Sequence, residues 1–287
     1  MAQLSVLQSL DLALAAAVSS VGPSLLNLDR GHGGGGSAIA WSADLAITSS
    51  FHAPDRTSVG IGGADGKLET RDAEVIGRDP GTDVALLRVA GGGLTPAKFR
   101  ELDGLAVGNL ALALGRPGRS ARASLRAIGV LGPALDTPRG GKLDHYIETD
   151  RTVPRGFAGG PLVDAEGQVI GMNTRTLLRG TDLAIPTQTL RRVIGELEAH
   201  GGIRHGYLGV GAVHSQLGAL IASLDDGGPA TKAGLLVGDV LLEVDGIAVR
   251  GPDELRKALS PRAGKTVALA LSRGGSRIEL QVEVGTR

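Results

Sequence analysis

Short apolar runs separated by turn residues make up most of the chain between about residues 37 and 185. They include DLAIT, TSVGIG, VALLRV, LALALG, AIGVLG, PLVD and QVIGMN. Such runs, recurring every 8–12 residues or so between Gly, Pro and Asp, are typical of an all-β sandwich or barrel rather than of alternating strands and helices. We therefore predict that this region is mainly β.

The first 22 residues follow a different pattern, with apolar residues every three or four positions. These residues are Leu4, Leu7, Leu10, Leu14 and Val18. This spacing predicts an amphipathic helix that ends at Gly22-Pro23 and packs on the protein body. Because no basic residue precedes Arg30 and no stretch of about 18 apolar residues is unbroken, we expect neither a signal peptide nor a membrane span. The sequence as written predicts a cytoplasmic protein, or a periplasmic one if a leader was removed.

A second helical pattern, TQTLRRVIGELEAH, follows the β region, with Thr187 as the predicted N-cap and Gly201 as the stop. The glycine-containing stretch HGGIRHG then predicts a hinge, which divides the chain into domains at 1–202 and 203–287. In the second domain, ALIASL, DVLLEVDG, KTVALALSR and SRIELQVEV predict strands, and PDELRKAL predicts a helix.

Composition removes several classes of function. The 287 residues hold 30 Lys and Arg, 30 Asp and Glu, no Cys, 46 Gly and only six aromatic residues. The absence of Cys excludes disulfides, thiolate metal sites and a Cys nucleophile. A formal charge of zero and few aromatic residues argue against binding to nucleic acid, which relies on phosphate contacts and stacking. His32, in the loop GHGGGG, has no second ligand at a useful spacing, so we predict no metal and no cofactor.

Three segments bring together residues suited to nucleophilic catalysis. The strand ITSSFH ends in His52, the turn DPGTD delivers Asp83 to an apolar strand, and the glycine-dense turn GFAGGPLVD surrounds Ala158. His, then Asp, then a tight turn is the chain order of a chymotrypsin-like triad. Each of these residues alone is more often structural, so the interpretation depends on finding all three in this order.

The same segments resemble the HtrA/DegP family of trypsin-fold serine proteases. TDVALL at residues 82–87, GFAGGPLVDAEGQVIGMNT at 156–174 and LAIPTQTLRRVI at 183–194 are similar to that family's motifs. The resemblance implies a chymotrypsin-like double β-barrel followed by a PDZ domain. It also implies His52 as general base, Asp83 as its partner, and the N–H groups of Gly156 and Ala158 as the oxyanion hole.

Position 158 departs from the family, which has its nucleophilic serine there. A methyl group cannot attack a carbonyl, so the resemblance implies a serine endopeptidase that binds unfolded or misfolded proteins without cutting them. Two explanations stay open: a serine replaced by design, or a natural pseudoprotease acting as a peptide-binding or chaperone-like protein. The intact His52, Asp83 and GGPLV favour the first, because an abandoned site is free to drift.

The resemblance also suggests a substrate pocket. Its base would be Thr152, six residues before position 158, and Asn173 would also contribute. A neutral Thr152 predicts small or medium aliphatic side chains in this pocket, while Arg151 and Arg155 nearby would favour acidic groups.

Residues 203–287 resemble a PDZ domain, most clearly in GGPATKAGLLVGDVLLEVDGIAV at 227–249. PDZ domains add a partner's C-terminal strand to their sheet and bind its carboxylate with backbone N–H groups. The resemblance implies that Tyr207, Leu208, Gly209 and Val210 supply this loop and that Leu255 lies in the groove. A structural PDZ domain that braces the protease domain is the alternative.

Family members commonly form trimers through aromatic residues near the N-terminus, but this chain has none before Trp41.

Overall fold

The computed structural model describes residues 5–31, 35–63, 67–178, 180–202 and 206–286. The chain divides into two compact units, residues 1–203 and 204–287. Residues 203–205 of the predicted hinge lie outside the described residues, and so do Leu4 and His32.

The first unit contains two closed six-stranded barrels, which confirms the predicted fold. The first barrel, in the order β1-β2-β3-β6-β5-β4, consists of β1 (Leu25–Asp29), β2 (Gly35–Ala40), β3 (Leu45–Ser49), β4 (Arg56–Gly62), β5 (Leu68–Asp79) and β6 (Val84–Val89). Strand β1, which a single 3-10 turn (Gly22–Ser24) joins to the N-terminal helix, was not predicted. The barrel interior is filled by small and branched apolar side chains such as Leu26, Ala38 and Leu87, consistent with an aromatic-poor chain.

The second barrel, in the order β11-β14-β13-β12-β7-β8, follows the same plan. Its strands and the small hairpin β9-β10 are β7 (Leu110–Gly115), β8 (Arg122–Gly132), β9 (Leu135–Asp136), β10 (Lys142–Leu143), β11 (Tyr146–Thr149), β12 (Pro161–Asp164), β13 (Val169–Leu178) and β14 (Thr181–Pro186). Strands β3, β6, β7, β12 and β13 are almost wholly buried. Residues at the ends of these strands are therefore held in fixed positions.

Two helices flank the barrels. Helix α1 (Val6–Val21) begins with a capping box between Ser5 and Gln8. Only its second half packs on the barrels, through residues such as Val21, whereas Val6 and Leu7 are 85% and 77% exposed. The predicted packing therefore holds for half of the helix.

The helical segment Val6–Ser24 is long and apolar enough to cross a membrane, by length and composition only. The absence of an unbroken apolar stretch did not predict this result, and the expectation of neither a signal peptide nor a membrane span stays a prediction. A signal sequence near an N-terminus meets the same criterion.

Helix α2 (Thr187–His200) ends at Gly201, as predicted, with that residue in the left-handed region at φ 71°. Its N-cap is Pro186, however, and not Thr187. The Thr187 hydroxyl donates a hydrogen bond to the Val169 carbonyl, so it anchors the helix to β13 instead of capping it.

The second unit is a five-stranded antiparallel path, β16-β17-β18-β20-β21, with two short helices and additional short strands. Its elements are β15 (Gly206–Tyr207), β16 (Val210–His214), β17 (Ala219–Leu224), α3 (Pro229–Lys232), β18 (Val240–Val244), β19 (Ile247–Ala248), α4 (Pro252–Leu259), β20 (Thr266–Arg273), β21 (Ser276–Glu283) and β22 (Gly285–Thr286). Helix α4 matches the predicted segment PDELRKAL, and its buried Leu255, Ala258 and Leu259 pack against the sheet.

Candidate active site

Asp83 occupies a buried turn immediately before β6, and its carboxylate accepts hydrogen bonds from four residues. Ser49 Oγ lies 2.9 and 3.0 Å from the two oxygens, and the Phe51 N–H lies 3.0 Å from Oδ1. The hydroxyls of Thr174 and Thr176 lie 2.6 and 3.0 Å from Oδ2. Hydrogen bonds to a charged group contribute about 1.5–3 kcal/mol each, enough to hold Asp83 at a φ of 60° despite the strain.

Ser49 links Asp83 to His52. Its Oγ lies 3.0 Å from His52 Nδ1, and it also contacts both carboxylate oxygens of Asp83. Because a carboxylate only accepts, the single hydroxyl proton of Ser49 goes to Asp83 and its oxygen accepts from the Nδ1–H. Neutral His52 then carries its free lone pair on Nε2. Among the described residues, the connection between His52 and Asp83 runs through this hydroxyl and not through a direct hydrogen bond.

The environment of His52 lowers the pKa of its imidazole. Burial is the largest cause, because it disfavours the charged form. Arg30 and Arg175 lower the pKa further, while Asp83 raises it. The imidazole is therefore biased toward the neutral form, which is the form that accepts a proton.

The chain reverses direction just before Ala158 in a type II turn. The Phe157 N–H donates to the Pro154 carbonyl at 3.1 Å, and Gly156, the third residue of the turn, has a φ of 82°. A type II turn needs a positive φ at this position, which favours glycine. Within the part of the chain that the structure describes, the N–H groups of Gly156 and Ala158 donate to no protein acceptor. Two donors are thus left for a ligand.

Contacts with the first barrel fix this turn. Ser37 Oγ donates to the Gly156 carbonyl at 2.6 Å. Gly159, at a φ of 83°, lies so close to β2 and β3 that an added Cβ would be 2.3 Å from Thr48 Oγ1. Any side chain at position 159 would therefore displace the turn.

Thr152 and Asn173 are not among the described residues that line the cleft around Ala158. The Asn173 amide donates to the Gly160 and Pro161 carbonyls, at 3.0 and 2.9 Å, so it braces the turn. Thr152 is exposed, and its carbonyl accepts a hydrogen bond from the buried Arg126. Burial lowers the pKa of Arg126, whose Nε and Nη1 have no partner among the described residues.

A cleft of about 460 Å³ brings His52, Gly156 and Ala158 together. Its described lining residues are Arg30, Gly35, His52, Pro117, Gly118, Arg122, Arg155, Gly156, Ala158 and Arg175. The cleft therefore presents an imidazole and two backbone donors to one space. Ala158 supplies only a methyl group, where a nucleophile would need an oxygen or sulfur atom.

Sequence reasoning missed several members of this site. Thr174 and Thr176 lie two residues apart on β13, and alternate residues of a strand share one face. That spacing was a usable signal for a hydroxyl pair. Ser49 lies inside the quoted segment ITSSFH, but nothing in the sequence shows that its hydroxyl bridges His52 and Asp83.

The second unit contains a separate groove of about 450 Å³ between the loop that precedes β16 and helix α4. Tyr207, Leu208, Gly209, Val210 and Leu255, all predicted to form a peptide site, line it. The carbonyls of Leu208 and Gly209 accept hydrogen bonds from the Ala230 and Asp225 N–H groups, which holds the loop.

No group of three or more His, Cys, Asp or Glu side chains that could hold a metal is found in the described ranges. His32 lies outside them.

Comparison with known proteins gives a consistent match for both units. Residues 36–172 match the trypsin-like peptidase domain family, and residues 206–284 match the PDZ domain family. A probable periplasmic serine endoprotease DegP-like from Pseudomonas fulva is 35% identical over 236 residues, which are 75% of this chain and 48% of that protein. A putative serine protease HhoB from Synechocystis is 31% identical over 274 residues, or 86% of this chain and 65% of that one.

The fold also matches solved structures. The HtrA-type protease AlgW with a decapeptide aligns with a TM-score of 0.71 at 25% identity, covering 96% of this chain and 98% of that one. In contrast to this solved structure, the DegP-like and HhoB relatives are longer than the present chain, which spans about half to two thirds of their length.

Proposed function

Because the chain is HtrA/DegP-like, with a trypsin-type protease fold and a C-terminal PDZ domain, we propose that it is a serine endopeptidase scaffold for unfolded or misfolded proteins. With Ala158 in place, we expect it to bind polypeptides without cleaving them. The observation that carries the proposal is a cleft lined by His52, Gly156 and Ala158, in which His52 is linked to the buried Asp83 through Ser49 and two backbone donors have no acceptor among the described residues.

The mechanism follows from the positions of these groups. A serine hydroxyl at position 158 would attack the substrate carbonyl while His52 Nε2 accepts its proton. Asp83 stabilises the resulting imidazolium through Ser49, and the N–H groups of Gly156 and of residue 158 receive the oxyanion. Alanine leaves every part of this machinery except the nucleophile.

The test compares the chain with its Ala158→Ser variant. We expect the variant to digest casein and to react covalently with a serine-directed phosphonate, while the chain itself does neither. The variant Ala158→Ser with His52→Ala is the matched control and should be inactive. If Ala158→Ser folds, binds peptide and still cleaves nothing, the endopeptidase proposal fails and a purely binding function replaces it.

We propose that the second unit binds C-terminal peptide tails in the groove beside α4. The support is the open loop at Leu208–Val210, the neighbouring apolar Leu255 and the match to the PDZ family. A fluorescent peptide with a free C-terminus should bind, and the same peptide with a C-terminal amide should bind at least about tenfold more weakly. Equal affinity for the two peptides would contradict carboxylate recognition.

We also propose a periplasmic location, supported by the apolar segment Val6–Ser24 and by the names of the curated relatives. Fusing alkaline phosphatase behind residue 31 in a bacterial host should give active phosphatase if this segment exports it. An inactive fusion that is nevertheless produced would contradict export.

A homotrimer stays a prediction from family resemblance, which light scattering would check.

A further inference from the structure

The cleft that holds His52 and Ala158 is rich in positive charge. Arg30, Arg122, Arg155 and Arg175 all line it, and no Asp or Glu is among its described lining residues. The chain as a whole has a formal charge of zero, so this concentration is local. The four arginines come from the end of β1, the start of β8, the turn before Ala158 and strand β13, which are far apart in sequence.

Internal ion pairs do not explain this cluster. Arg175 Nε lies 3.7 Å from an Asp182 oxygen, but the guanidinium groups of Arg30, Arg122 and Arg155 form no ion pair or hydrogen bond with any residue that the structure describes. Several arginines outside the cleft do form ion pairs, as Arg273 does with Asp239 at 2.8 Å. Three guanidinium groups at the cleft therefore remain available to a ligand.

The pKa of His52 supports the same view, because Arg30 and Arg175 both lower it. Two of the four arginines thus lie near enough to His52 to act on its charge. Of the two arginines singled out in the sequence, Arg155 lines the cleft and Arg151 does not; Arg151 Nε lies 3.6 Å from an Asp150 oxygen.

We propose that this cleft selects acidic polypeptide segments, in which Asp or Glu side chains lie on either side of the residue presented to position 158. This inference rests on the proposed peptide-binding function and narrows its substrate class. A guanidinium group presents a planar fork of donors that matches a carboxylate in a bidentate arrangement. Several guanidinium groups around one cleft therefore favour a segment that carries several carboxylates.

Peptide binding to the unmodified chain tests this proposal directly, because a chain with Ala158 is not expected to cleave the peptide. Two amide-capped fluorescent peptides would share a central valine and differ only in flanking Asp and Glu against Asn and Gln. The amide cap removes the C-terminal carboxylate that the second unit is proposed to bind. We expect the acidic peptide to bind about tenfold more tightly at low salt, and the difference to shrink as salt is added.

A pair of double variants locates the effect. Arg122→Gln with Arg155→Gln should abolish the preference for the acidic peptide. The matched control, Arg56→Gln with Arg88→Gln, removes the same charge from exposed positions of the first barrel outside the cleft and should keep the preference.

Three outcomes would overturn the inference. Equal binding of both peptides would remove the acidic preference and leave the proposed function standing. Loss of the preference in the control variant would assign it to net charge and not to the cleft. A single-stranded oligonucleotide that binds as tightly as the acidic peptide, and through the same arginines, would show that the cleft recognises polyanions in general. Failure of Ala158→Ser to cleave any protein is a separate result that concerns the proposed function alone.

Discussion

The cleft around Ala158 and the groove beside α4 are built in opposite ways. The cleft gathers residues from segments spread between Arg30 and Arg175, and both barrels contribute to it. The groove is formed by two short segments, 206–212 and 252–259. Charged side chains surround the cleft, whereas the groove presents backbone and apolar side chains, and its Arg256 is paired with Asp253 at 3.3 Å.

This difference predicts two kinds of recognition. A cleft lined by unpaired guanidinium groups responds to the side chains of a bound segment and to ionic strength. A PDZ-type groove lined by backbone and apolar side chains is expected to respond to a chain terminus and to depend little on the charge of the peptide's side chains. The protein would thus distinguish a polypeptide by its acidic interior and by its C-terminal end at two independent sites.

The largest effect should come from His52. In the Ala158→Ser background, His52→Ala should lower kcat by about 10⁴- to 10⁶-fold, because the nucleophile loses its proton acceptor. Binding of a free C-terminal peptide to the second unit should stay unchanged. Steady-state kinetics and fluorescence anisotropy on the same preparation measure both. A parallel loss of tail binding would show that the two sites do not act independently.

A smaller effect is expected from Ser49, which acts through His52. In the Ala158→Ser background, Ser49→Ala should lower kcat by about 10²-fold, since the imidazole loses its link to Asp83. The pH profile of kcat should also change, because Asp83 no longer stabilises the protonated imidazole through this hydroxyl. Ser49→Thr keeps the hydroxyl and should restore most of the activity. A normal pH profile in Ser49→Ala would reduce Ser49 to a packing role.

A smaller difference between the two sites is expected in how strongly salt weakens peptide binding. Raising the ionic strength from about 0.01 to 0.15 M shortens the Debye length from about 30 to 8 Å. Acidic-peptide binding at the cleft should therefore weaken several-fold more than tail binding at the groove. Titrations with the amide-capped acidic peptide and with a neutral free-acid peptide give the two slopes. Equal slopes would remove the distinction between side-chain and terminus recognition.

The two sites also differ in how far the sequence predicts them. Tyr207–Val210 and Leu255 line one groove, and their role in peptide binding stays a prediction. Their common location could be predicted because they belong to two contiguous segments whose local patterns indicate a loop and a helix face. Strand spacing is a local signal too and predicted a mainly β sandwich or barrel, whereas the double barrel was implied by the resemblance to the HtrA/DegP family. Strand β1 was missed because it is short and joins the helical segment without a long turn.

The cleft could be predicted only in part. His52, Asp83 and the turn at Gly156 carry recognisable motifs, and the structure brings His52 and the turn into one cleft while Ser49 connects Asp83 to His52. Arg30, Arg122 and Arg175 have no local signal, because only barrel closure brings strand ends that are remote in sequence around one space. The positions of Thr152 and Asn173 likewise depend on tertiary hydrogen bonds that spacing does not reveal.

The smallest expected effect tests whether the arginines of the cleft act on catalysis as well as on binding. Arg30 lowers the pKa of His52, so Arg30→Gln should raise it. A higher pKa protonates the general base at a higher pH, and the acid limb of kcat/KM should therefore move toward higher pH in the Ala158→Ser background. A neutral peptide substrate keeps lost substrate attraction from imitating this shift, and Arg56→Gln serves as the charge-matched control. If Arg30→Gln weakens binding of the acidic peptide but leaves the acid limb of kcat/KM in place, Arg30 acts in recognition alone. If both the affinity and the acid limb change, the same side chain lowers the pKa of the general base and attracts the substrate.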